Sequence, residues 1–212
     1  VREQSIPGLV DMRDYERYRQ AAATYLERLF AVSTVKTNGG LVRFPKAFRG
    51  RLAESARSAM FYALRGAEQL PQLRESVRRI NIPDLITERD RQRIYEVAKS
   101  VIAGGRAGLY ARARPDMRFI LVLRHPAGVV ASEIRGKLLG KMPGEVPVDA
   151  LVTTPGAIER GLDQQFFDQA DDIGKLTWWW VLFNEKMLAD TLGCENCLLV
   201  NYDEMCLNPL QS

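Results

Sequence analysis

The chain has 212 residues, 46% hydrophobic and 26% charged, with a net charge of +4 and a pI near 9.1. This is ordinary globular composition, long enough for one domain with a sizeable core, and it excludes a disordered or fibrous chain. Cysteines 194, 197 and 206 are odd in number, which argues against a disulfide framework. No apolar run is long enough to span a membrane, and no signal-like segment stands at the start.

Arginines are concentrated in the first half, for example Arg43, Arg49, Arg57, Arg65, Arg74 and Arg78. They form no dense stripe with interleaved aromatics, which favours an anionic ligand over a nucleic acid; most read equally well as solvated helix faces. Residues 11–32 place Tyr15, Tyr18, Ala22, Tyr25, Leu26, Leu29 and Phe30 at helical spacing. After Asn38–Gly39–Gly40 comes a short extended piece, Leu41–Phe44, stopped by Pro45. A second helix is expected from about Phe48 to Glu68, with Met60, Phe61 and Leu64 inward and Pro71 beyond it.

Residues 87–102 admit two readings. Thr87 and Asp90 suit a helix start, and Ile94, Val97, Ala98, Val101 and Ile102 continue a helical stripe. The same residues also read as a short strand Tyr95–Ala98 running into Lys99–Ser100. Residues 106–114 look helical, and Pro115–Asp116 turns the chain into an apolar strand over 118–124. That strand ends at Arg124, turns through His125–Pro126, and leads into a helix carrying Ser132 and running to about Leu139. A guanidinium delivered by a strand, beside the N–H groups of a helix start, is how α/β folds grip anions. The eight-residue step from Arg124 to Ser132 lets both donors converge on one phosphate.

The Pro- and Gly-spotted tract over 140–175 is the expected place for a loop or lid over a pocket. A helix over 176–192 carries Trp178, Trp179 and Trp180, and Leu198–Asn201 reads as a second buried strand leading into Tyr202-Asp203-Glu204. Cys194-Glu-Asn-Cys197 has metal or redox spacing, but no second pair or nearby histidine completes a zinc site; reduced cysteines beside a strand are the plain reading. Strands separated by helices imply an α/β fold with a mostly parallel sheet flanked by helices.

This order of parts resembles the sulfotransferases, which move a sulfuryl group from 3′-phosphoadenosine 5′-phosphosulfate to an acceptor. Pro115–Ser132, PDMRFILVLRHPAGVVAS, is similar to the family's strand-turn-helix with Arg-x-Pro and a serine eight residues after the arginine. The resemblance assigns Arg124 and Ser132 to the donor's 3′-phosphate. Leu198–Pro209, LLVNYDEMCLNP, is similar to the family's strand and Tyr-Glu-Asp segment with its acids reversed, and it gives Tyr202 the adenine side. Val97–Arg106 resembles a Lys-Ser-Pro segment with Val101 in place of the proline, which makes Lys99 the candidate catalytic lysine near the transferred group.

The resemblance covers residues 97–209 and implies a P-loop NTPase-like sulfotransferase fold, a single domain over 1–212. It also implies a cytoplasmic enzyme without a metal, acting on a hydroxyl or amine of a small-molecule, lipid or carbohydrate acceptor. The family's glycine-containing loop for the 5′-phosphosulfate is not matched by Val35–Gly40, nor is its C-terminal Arg-Lys-Gly element, so a chain lacking its first strand and its C-terminal end is expected. Glu133, Glu159 and Asp163 are the acids weighed as general base. Each site residue also has a plain structural reading: Arg124 in an ion pair, Ser132 bonding back to its helix, Tyr202 packed, Lys99 solvated. A P-loop-type nucleotide kinase and a non-catalytic domain keeping the fold are the alternatives.

Overall fold

The computed structural model describes residues 6–31, 34–35, 50–87, 92, 95–101, 103–141 and 146–208. The expected extended piece Leu41–Phe44 and most of Val35–Gly40 lie outside these residues. The chain divides into two compact units, Val1–Tyr25 with Ser100–Ser212, and Leu26–Lys99.

The chain first makes a 3-10 turn, Met12–Asp14, whose cap Asp11 accepts from Arg13 N at 2.8 Å. The Arg13 guanidinium holds the Asp11 carboxyl at about 2. Helix α1, Tyr15–Ala31, follows. Its predicted apolar stripe is realised at Ala22 and Leu26, both buried.

In the unit Leu26–Lys99, helix α2 spans Arg51–Ala67 and α3 spans Arg74–Val77. Val35, Phe61, Val77 and Ile82 form its buried cluster, with Met60 and Leu64 packed against it. Glu68 is buried between two guanidinium groups, with Arg65 Nη1 at 2.9 Å and Arg78 Nε at 2.8 Å. Residues 95–101 are exposed and carry no regular structure, so neither the long helix nor the short strand of the sequence reading forms there.

The other unit contains a 3-10 turn, Gly104–Arg106, followed by α4, Ala107–Ala113, whose Leu109, Tyr110 and Ala111 are buried. Strand β1, Phe119–Leu123, leads to α5, Pro126–Leu138. The tract expected as a loop or lid contains three short helices: α6 Val148–Leu151, α7 Pro155–Glu159 and α8 Gln164–Gln169. Polar caps punctuate it. Thr154 accepts from Ala157 N, and Asp163 accepts from Phe166 N at 2.8 Å. Helix α9, Asp172–Thr191, then supplies Leu182 to a buried cluster with Leu151, Ala157, Leu162 and Phe167. Trp178 and Trp179 pack on its margin.

Strand β2, Cys197–Asn201, and helix α10, Tyr202–Leu207, close the unit. β1 and β2 pair in parallel from Phe119↔Cys197 to Leu123↔Asn201. In that register Ile120, Val122, Leu198 and Val200 share one face. Ile120 and Leu198 are 66% and 60% exposed, so this face is open rather than covered by helices on both sides as the sequence pattern implied. The result is a mixed helix and sheet architecture with a parallel strand pair. Among the described residues, no helix is long and apolar enough to cross a membrane.

Candidate anion-binding site

The pairing Leu123↔Asn201 brings the C-terminal ends of both strands side by side. Loops at this end of parallel strands are where open α/β sheets take ligands. Arg124 leaves β1 here and Tyr202 leaves β2. Their side chains meet, with the Arg124 Cζ 5.4 Å from the centroid of the Tyr202 ring, a cation–π geometry.

Three contacts fix this turn. Trp180 Nε1 donates to the Arg124 carbonyl at 3.1 Å, so α9 holds the backbone that carries the guanidinium. The His125 N–H donates to Asp203 Oδ2 at 2.7 Å, which ties the β1–α5 turn to the first turn of α10. Asn201 in turn caps α10, its Oδ1 accepting from Asp203 N at 3.0 Å and Glu204 N at 3.4 Å. Pro126 stands at the first position of α5, where the missing N–H costs nothing.

The helix start does not supply the expected free donors. Ala127 N donates to His125 Nδ1 at 3.2 Å. Gly128 N and Val129 N both donate to the His125 carbonyl. The guanidinium is therefore the principal donor of the turn. Arg114 and Arg160 each carry a carboxylate partner, at 2.6 and 2.7 Å; among the described residues Arg124 has the Tyr202 ring and no ion pair.

Gly128 lies directly against this fork, since a Cβ there would meet Arg124 Nε at 2.9 Å. Ser132 stands one turn further along the same face of α5, four residues from Gly128. It is exposed, and among the described residues its hydroxyl makes no hydrogen bond. The neighbouring Cys206 thiol pushes the Tyr202 phenol above its ordinary range; the nearby Arg124 charge opposes that shift.

Lys99 lies in the unit Leu26–Lys99, exposed in irregular backbone. Sequence reasoning missed the positioning roles of Trp180, Asp203 and Gly128. Asn201 carried a readable signal, since a cap residue directly before Asp203 and Glu204 marks a helix start.

Two of the cavities among the described residues lie in the unit that holds Arg124, Val1–Tyr25 with Ser100–Ser212. One, of about 350 Å³, is bounded by Glu133, Lys137, Val146, Val148, Asp172, Lys175 and Leu176. Lys137 Nζ and Asp172 Oδ2 are 2.6 Å apart in it, and the lysine holds that carboxyl below its usual range. The second, of about 530 Å³, adjoins the turn before β2. Arg124, Ser132 and Tyr202 line neither; they form an open surface site, although Glu133, next to Ser132, borders the first cavity. Among the acids weighed as base, Asp163 is engaged as a helix cap and Glu159 is exposed on α7. Among the described residues no group of three or more His, Cys, Asp or Glu is arranged to hold a metal ion.

No family model, no curated protein and no solved structure matches the chain.

Proposed function

We propose that this surface grips the 3′-phosphate of an adenylate donor and that the chain is a sulfotransferase. In this reading the sulfuryl group passes from 3′-phosphoadenosine 5′-phosphosulfate to a hydroxyl or amine of a small-molecule, lipid or carbohydrate acceptor. The observation that carries the reading is the Arg124 guanidinium, without an ion-pair partner among the described residues, laid on the Tyr202 ring where two parallel strands end. A planar fork of N–H donors suits a phosphate dianion. Ser132 adds a hydroxyl donor from the same helix face, and the Tyr202 ring offers a surface beside the purine.

Binding at this remote phosphate would hold the donor while the reaction proceeds elsewhere on it. Sulfuryl transfer, like phosphoryl transfer, asks the protein mainly for position and charge neutralisation. Glu133, bordering the 350 Å³ cavity, takes the acceptor's proton.

Calorimetry with adenosine 3′,5′-bisphosphate tests the reading. Binding is expected in the micromolar range, weakened about 10- to 100-fold in Arg124→Ala, the loss of one charge-assisted contact of about 1.5–3 kcal/mol. Absence of binding, or equal affinity in Arg124→Ala, overturns it. Tighter binding of ATP with magnesium than of the bisphosphate would favour the kinase alternative.

A further inference from the structure

The turn before β2 holds a feature that the donor site does not use. After α9, Gly193 adopts φ +77°, and Cys194 N bonds back to the Thr191 carbonyl at 3.0 Å. The next residues, Cys194-Glu195-Asn196-Cys197, form a hydrogen-bonded β-turn closed by Cys197 N donating to Cys194 O at 3.0 Å. Such a turn brings its first and fourth Cα atoms within about 7 Å. A disulfide needs about 4.4–6.8 Å between them. The separation that such a turn permits overlaps the span that a bridge requires.

The turn is also held rigidly. Asn196 Nδ2 lies 3.0, 3.2 and 3.0 Å from the carbonyls of Ala111, Arg114 and Met117. The Asn196 carbonyl accepts from Phe119 N at 2.9 Å, and Cys197 is the first residue of β2. A turn pinned on both sides keeps one thiol beside the other at high effective concentration. The two thiols differ in access. Cys194 borders the 530 Å³ cavity together with Arg112, Arg118 and Asp116, whereas Cys197 does not. Burial pushes the Cys197 thiol above its ordinary value, and the neighbouring Cys194 thiol adds to this.

We infer that Cys194 and Cys197 are a reversible redox dithiol, with Cys194 the attacking thiol and a small-molecule disulfide, entering through the cavity, the oxidant. The Cys194 thiolate attacks one sulfur of the disulfide, forming a mixed disulfide and releasing one small thiolate. The Cys197 thiolate then attacks the Cys194 sulfur, closing the Cys194–Cys197 bond and releasing the second. Two protein thiols are oxidised, one small disulfide is reduced to two thiols, and the two cysteine protons pass to the departing thiolates.

The test equilibrates the full chain with mixtures of reduced and oxidised glutathione, quenches with acid, alkylates free thiols and maps the tryptic peptide 187–212, which contains every cysteine. A species two hydrogens lighter, alkylated only at Cys206, is expected. It should form at glutathione ratios about tenfold more reducing than the same chain needs in urea. Cys197→Ser should trap glutathione on Cys194, and Cys194→Ser should leave Cys197 largely unmodified. The wild-type comparison stands even if either variant misfolds. Equal ratios for native and urea-unfolded chain, or trapping on Cys197 in preference to Cys194, would overturn the inference.

Discussion

At Gly128 a Cβ would stand 2.9 Å from Arg124 Nε and 3.2 Å from its Cζ. The obstructing atoms are the far end of a long side chain, so Gly128→Ala can be accommodated by moving the guanidinium rather than the helix. Alanine also favours an α-helix over glycine by about 1 kcal/mol. The substitution should therefore keep or raise the melting temperature while weakening adenosine bisphosphate binding about tenfold. Calorimetry and thermal denaturation on one sample check both halves; unchanged affinity would show that the fork has no preferred position. That Arg124 and Tyr202 follow strand ends, and that Ser132 lies on the helix after the first strand, was legible from the apolar runs and their breakers. Asp203 and Trp180 were not, because their contacts with the turn bridge 78 and 56 residues. No local pattern encodes such a contact.

Among elements, helices with a buried partner were the readable ones. The stripe of α1 and the Phe61 face of α2 point into packed surroundings, and their spans fell close to expectation. Residues 95–101 show the opposite case. Val97 and Val101 repeat at helical spacing, but they are 88% and 76% exposed, and without a surface to bury the stripe no helix is stabilised. Lys99 sits in this exposed stretch. Among the Lys and Arg sites of the described residues, trypsin should cut first after Lys99, as N-terminal sequencing of the earliest fragments will show. Earlier cleavage within a described helix would contradict this.

The α2–α3 region also carries a pH dependence. Arg78 foremost, with Arg65, holds the Glu68 carboxyl below its ordinary range. The stability this gives is present above about pH 4.3, the unfolded value for glutamate, and is lost as pH falls through the lower folded value. Glu68→Gln should be less stable to urea at neutral pH and should lose less stability than wild type on acidification below that point. Parallel urea titrations followed by circular dichroism measure the difference.

At the scale of the molecule, the alternation of helix and strand foretold a parallel pair, and Phe119–Leu123 pairs with Cys197–Asn201 as a parallel ladder. What the pattern could not convey was how many faces of that pair find cover. A continuous apolar run reads as buried on both sides, whereas Ile120, Val122 and Leu198 lie open to solvent. The Pro- and Gly-spotted tract was read from its breakers. Its apolar residues, Leu151, Ala157, Leu162 and Phe167, proved the better guide, since they are buried in a core.

The long crossover between the strands has a kinetic consequence. Residues 124–196 separate the partners, so closing that distance by chance is entropically costly until the intervening helices have shortened it. The ladder, and with it the meeting of guanidinium and phenol ring, should be among the last events when the unfolded chain is diluted from denaturant. In a stopped-flow experiment the helical signal should recover ahead of the capacity to bind adenosine bisphosphate. Simultaneous recovery would mean that the strands find one another before the segment between them is organised.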